Sequence, residues 1–171
     1  MTDRFDPNLP ADPANPAAPS IEGDFTGIVT ITDQPSVGAP NLVVNADKSF
    51  DIKVSWHVFG NLVPLWLTAL SVSTPNWVVT AYAESQGPGD EKTIGSVDVP
   101  IGGPVFSTDE KYTAKITVPA DTLSEENPGD PTQSGTYKIV VTTFLDSDLG
   151  PVGYDMMGYA EGPIIKVESP L

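Results

Sequence analysis

Along much of the chain, hydrophobic and polar residues alternate with a period of two. Phe50, Ile52, Val54, Trp56 and Val58 alternate with Asp51, Lys53, Ser55 and His57. A strand with one face buried and one face wet requires this pattern, with Trp56 inward and His57 outward. Tyr112, Ala114, Ile116 and Val118 alternate with Lys111, Thr113, Lys115 and Thr117 in the same way, and Phe25, Gly27, Val29 and Ile31 with Thr26, Ile28, Thr30 and Thr32. Residues 76–85, 93–101, 135–145 and 164–168 add further strands, and 41–45 is a short apolar segment. In 76–85, Trp77, Val79, Ala81 and Ala83 share one face. Residues 62–73 are apolar on both faces and read as a buried strand or a short helix, with Pro64 arguing against a central ladder position. Residues 119–127 read as one helical turn that tucks Leu123 into the core, and residues 146–153 as a loop.

Eight or nine short strands without crossover helices define an all-β chain, an antiparallel β-sandwich rather than a parallel α/β sheet. Eighteen prolines and fifteen glycines suit the turns between them and show no collagen period. The length of 171 residues accommodates one domain with a sizeable core. The pattern divides it into a proline-rich acidic arm or linker, residues 1–23, and a β-sandwich domain, residues 24–171. In the arm, Pro7, Pro10, Pro13, Pro16 and Pro19 recur every three residues, the period of a polyproline II turn. The segment reads as a solvated linker or as an arm docking on a neighbouring subunit.

Residues 134–142, Ser-Gly-Thr-Tyr-Lys-Ile-Val-Val-Thr, follow a long acidic connection. A tyrosine, here Tyr137, opening a β-branched strand after such a corner resembles the tyrosine corner of immunoglobulin-like sandwiches. The resemblance, to immunoglobulin-like and fibronectin-III-like domains, covers about residues 24–168. It implies that the Tyr137 phenol closes onto upstream backbone and that Trp56 or Trp77 is a core tryptophan. The cysteine pair of antibody domains is missing, and a fold of this type transfers no function.

Charge narrows the function. Twenty-three acidic and eight basic residues give a net charge of −15, and the one arginine is Arg4. Such a field repels nucleic acid and anionic lipid, which need cations to displace counterions. The absence of cysteine excludes disulfides and thiolate sites. No basic-then-apolar leader opens the chain and no apolar run is long enough to span a bilayer, so the expectation is a cytoplasmic or particle-associated chain without membrane insertion.

Little equipment for catalysis remains. A Ser-His-Asp site would have to use His57, the single histidine, which sits on a polar strand face. The expectation is therefore no enzyme and no obligatory cofactor. Asp146, Asp148 and Asp155 place three carboxylates in one loop with no lysine or arginine between Lys138 and Lys166, and hard oxygen ligands of this kind suit Ca²⁺. Asp121, Glu125, Glu126 and Asp130 form a second acidic stretch. Met156-Met157-Gly158-Tyr159 is an apolar segment beside the first loop, read as a cap on the sandwich or a partner contact. The function expected is a noncatalytic structural or protein-interaction subunit that contacts copies of itself or a protein partner. The alternative is a ligand-binding accessory module for carbohydrate or calcium-dependent adhesion.

Overall fold

The computed structural model describes residues 4–27, 29–33, 42–73, 75–89, 91–127, 129–130, 132–147 and 154–169. Asp148 of the expected acidic triad falls outside them. The described strands are β1 (Arg4–Asp6), β2 (Glu22–Phe25), β3 (Thr30–Asp33), β4 (Val43–Asn45) and β5 (Phe50–Phe59), then β6 (Asn76–Ser85), β7 (Lys92–Pro100), β8 (Asp109–Val118), β9 (Thr136–Leu145) and β10 (Met156–Glu168). One helix, α1 (Val63–Leu70), lies between β5 and β6. The protein is all-β and sandwich-like, built from two sheets.

The smaller sheet has three lanes. β8 pairs with all ten residues of β5, so β2 and β3 share the other edge of β5, one after the other. Residues 25–31, read from sequence as one strand, therefore break between Phe25 and Thr30, where Gly27 takes a φ of 124°. The larger sheet has five lanes in the order β7, β6, β9, β10, and then β1 and β4. β9 covers one edge of β10. On the other edge, β1 pairs with Met157–Tyr159 and β4 runs parallel to Lys166–Glu168. The pairing is otherwise antiparallel.

Alternation sends Trp56, Trp77, Ile52, Ile139 and Leu145 into the space between the sheets, all fully buried. Trp56 meets Trp77 edge-on at 5.7 Å and stacks on Tyr112 at 5.5 Å. Such aromatic contacts add to the area that each ring buries. β7 runs beside β8 and β1 beside β2, which closes both flanks. Gly95 of β7 permits the first approach, since a Cβ there would overlap the Ile116 side chain.

The apolar run after β5 becomes a helix because Pro64 occupies its first turn, where the missing N–H is no loss. Val63, Leu67 and Leu70 then fall on one face and are fully buried. Residues 119–127 form turns rather than a helical turn, although Leu123 is buried as expected. The segment marked by its proline spacing as an arm lies along the chain's own body, through β1 and through hydrogen bonds joining Ala18 and Ser20 to Asn61, and is bridged to itself. Arg4–Asp6 forms β1, Leu9 and Ile21 form an isolated bridge, and Phe5 and Ile21 are buried.

Candidate functional site

The solvent face of the five-lane sheet can be read row by row from the pairing register, because directly paired residues share a face. The first row is Asp98, Val78, Phe144, Met157 and Asp6, running from β7 to β1. Its three central residues are large apolar side chains exposed to 38, 37 and 45%. An aspartate stands at each end. The second row is Ser96, Thr80, Thr142, Tyr159 and Arg4, in which the Thr80 and Ser96 hydroxyls lie 3.2 Å apart. In the third, Tyr82 and Glu161 flank Val140, which is buried although it points away from the core. The fourth places Glu84 beside Lys138.

One ion pair organises the middle of this face. Lys138 Nζ donates to Glu161 Oε1 at 2.5 Å, and Tyr159 Oη donates to the same oxygen at 3.2 Å. The Lys138 hydrogen bond holds the Glu161 carboxyl below its ordinary range and raises the Lys138 ammonium above its own. Burial, seconded by the Glu161 charge, raises the Tyr159 phenol.

The opposite face, on β5 and β8, is polar apart from half-buried Phe59, which stacks on His57 at 4.6 Å. Ser55 and Thr113 hydroxyls lie 3.0 Å apart, Lys115 donates to Asp51 at 3.2 Å, and Thr117 donates to Asp51 at 2.7 Å. His57 Nδ1 lies 2.7 Å from Asp109 Oδ1, a contact that lowers the Asp109 carboxyl. The neighbouring hydroxyls are paired with each other, so the His57–Asp109 pair is not extended by a nucleophile through any of these bonds. Among the described residues, no exposed large hydrophobic lies on β2, β3, β5 or β8. The contrast singles out the five-lane face.

Of the expected acidic triad the structure describes Asp146 and Asp155. Asp155 Oδ1 accepts from the Ser147 backbone N–H at 2.9 Å and from the Ser147 hydroxyl at 2.7 Å, which lowers its pKa and ties the two ends of the loop together. Asp146 is exposed at the loop's start, and Asp148 lies outside the described residues. The second stretch holds its own corner. Glu126 accepts from Lys166 at 2.7 Å, Glu125 from the Ser169 N–H at 2.9 Å, and Asp130 from the Thr132 hydroxyl at 2.6 Å. Among the described residues, no group of three His, Asp or Glu side chains is placed to hold a metal ion.

Tyr137 Oη donates to the Ser124 carbonyl at 3.1 Å, and Trp56 sits at the centre of the core. Met156-Met157-Gly158-Tyr159 lies within β10 rather than in a loop, with Met156 inward and Met157 outward. The row Val78–Phe144–Met157 was not visible as a unit in sequence. Each residue stands at an outward position of its strand, but only long-range register brings them together. Among the described residues, no helix is long and apolar enough to cross a membrane. No protein-family model matches the chain, and no curated protein matches it either.

Proposed function

We propose that the chain is a noncatalytic structural or protein-interaction subunit that works by contact, through the solvent face of its five-lane sheet and through its N-terminal segment. The observation that carries the reading is the in-register row Val78–Phe144–Met157, an apolar band on an otherwise acidic protein. A band of this kind, rimmed by polar residues, marks a contact surface. Asp98 and Asp6 at its ends and the net charge of −15 select a protein partner with an apolar centre and a basic margin.

The immunoglobulin-like lineage of the sandwich belongs to the same proposal. It is supported by the Tyr137 phenol closing on upstream backbone and by buried Trp77 on the strand beside the tyrosine-led one. In such a fold, the outer face of a broad sheet is free to serve recognition without chemistry.

A photoreactive phenylalanine analogue at position 144, with the same analogue at Lys53 on the opposite face for comparison, tests the reading in cells that make the protein. A discrete covalent adduct formed at 144 and absent at 53 is expected. No adduct at 144, or the same set at both positions, would count against the face.

A further inference from the structure

Phe5 is held unlike any other core residue described. It comes from a three-residue strand, yet its ring is 8% exposed and lies 4.9 Å from the ring of Phe25. It rests against two glycines, Gly158 of β10 and Gly23 of β2, and a Cβ on either would overlap the ring. The slot exists only because both positions lack a side chain. Because the two glycines belong to different sheets, the ring fills the seam between their edges. Otherwise β1 adds three residue pairs with Met157–Tyr159.

The connection is longer than this seat requires. The chain is pinned where Leu9 and Ile21 exchange backbone bonds of 2.8 and 2.9 Å. Between them it folds back through the Asp12–Asn15 and Asn15–Ala18 turns. Pro10, Pro13, Pro16 and Pro19 share a spacing that an extended polyproline II segment accommodates. Ala18 and Ser20 are tied to Asn61 and Leu62, so the part free to open is residues 10–17, which would reach roughly 25 Å at ~3.1 Å per residue. That is still about two to three times the ~8–10 Å over which salt screens charge. Two bodies of charge −15 repel when packed directly, but not across such a spacer.

We propose that the Gly23–Gly158 slot is an exchange site for a second copy of this chain. β1 of one copy leaves its own seam and pairs with β10 of a neighbour, where the same ring-to-glycine contacts and the same three residue pairs re-form. Exchange re-forms the Phe5 and β1–β10 contacts and gives up only the Asp12–Asn15 and Asn15–Ala18 turns of the spacer, so spacer geometry and protein concentration decide it. The added strand is a form of β-augmentation in which backbone pairing gives affinity and the Phe5 pocket gives specificity. The inference rests on the contact role proposed above and names the partner of the N-terminal segment.

Because the chain has no cysteine, single thiols report the exchange directly. Asp6 and Met157 are register partners, and both are exposed. Tagged Asp6→Cys is mixed with untagged Met157→Cys at high concentration, taken through unfolding and refolding together, and treated with a short bismaleimide. The control pairs Asp6→Cys with Lys53→Cys, on the far face. Expected is a tagged–untagged dimer in several-fold excess over the control, reduced to control level when Phe5→Ala is added to the tagged chain. A yield no higher than the control overturns exchange. Dimer that survives deletion of residues 1–20 in light scattering also overturns it, and instead assigns self-association to the sheet face. Neither result touches the crosslinking test at position 144, so failure of the exchange and failure of the contact role are read separately.

Discussion

The phenol of Tyr137 and the carbonyl of Ser124 are joined by a 3.1 Å hydrogen bond across thirteen residues of the β8–β9 connection. The bond anchors a corner with almost no regular structure of its own. Gly135, at φ 62°, lies so close to the Glu125–Glu126 backbone that a Cβ would overlap it. Lys166 and the Ser169 N–H hold those two glutamates from the end of β10.

Tyr137→Phe keeps the buried ring and deletes the hydroxyl, leaving the Ser124 carbonyl without this donor. A loss of about 1 kcal/mol is expected, seen as a fall of roughly 2–4 °C in melting temperature for a chain of this size. Gly135→Ala is expected to destabilise more, since it adds both backbone strain and overlap. Equal or smaller loss for the glycine variant would show that the corner relaxes freely.

Some of this architecture was legible in the sequence, and the reasons are physical. β5 and β8 have one buried and one wet face, so strict alternation marks them. Residues 62–73 are apolar all round, which periodicity alone does not resolve; Pro64 in the first turn does. β10 was read as starting only at Ile164, because Gly162 and Pro163 interrupt the pattern. The structure absorbs them in a register shift between Glu161 and Ile164, and the strand begins at Met156. Phe5 gave no signal, lying in a segment with turn-like composition while its receptor consists of glycines distant in sequence. The Val78–Phe144–Met157 row was hidden for a similar reason, since pairing across dozens of residues is set by the whole sheet.

The fit between Phe5 and Gly158 predicts a strong non-additivity. Gly158→Ala alone is expected to destabilise by roughly 1–3 kcal/mol through overpacking. In a Phe5→Ala background the overlap with the ring is gone and only that with the Thr143 hydroxyl remains, so the cost of the same substitution is expected to shrink by about 1 kcal/mol or more. Urea unfolding of the two single variants and the double variant measures the difference. Strict additivity would mean that Phe5 does not occupy the slot in solution.

Tyr112 donates to the Ile101 carbonyl at 3.1 Å from within the core, beside Trp56 and Trp77. Burial pushes its pKa up to about 12, from an ordinary value of 10.0. The unfolded chain therefore loses this proton before the folded one does. Stability from the protonated phenol is complete below pH 10 and declines as pH rises toward the folded value. Absorbance titration is expected to show late phenolate ionisation from Tyr112 and, with its raised phenol, Tyr159, and the Tyr112 share of it is absent from Tyr112→Phe. A wild-type curve in which every tyrosine ionises near pH 10 would contradict the burial.

The Lys138–Glu161 pair on the five-lane face sets a pH window of its own. Glu161 is lowered from its ordinary 4.5 by the Lys138 hydrogen bond, so its contribution is present above pH 4.5 and is lost as pH falls through the folded value. Lys138 is raised from 10.5 by the same bond, so its contribution is present below pH 10.5 and is lost as pH rises through the folded value. Wild type and Glu161→Gln are therefore expected to differ most between about pH 5 and 10 and to converge at both extremes. Both side chains are partly exposed, at 25 and 30%, so salt is expected to narrow the gap. Thermal melts of the two proteins across pH, at low and high ionic strength, check this directly. A constant difference at every pH would mean that Glu161 contributes through packing, and that charge does not organise the middle of the face.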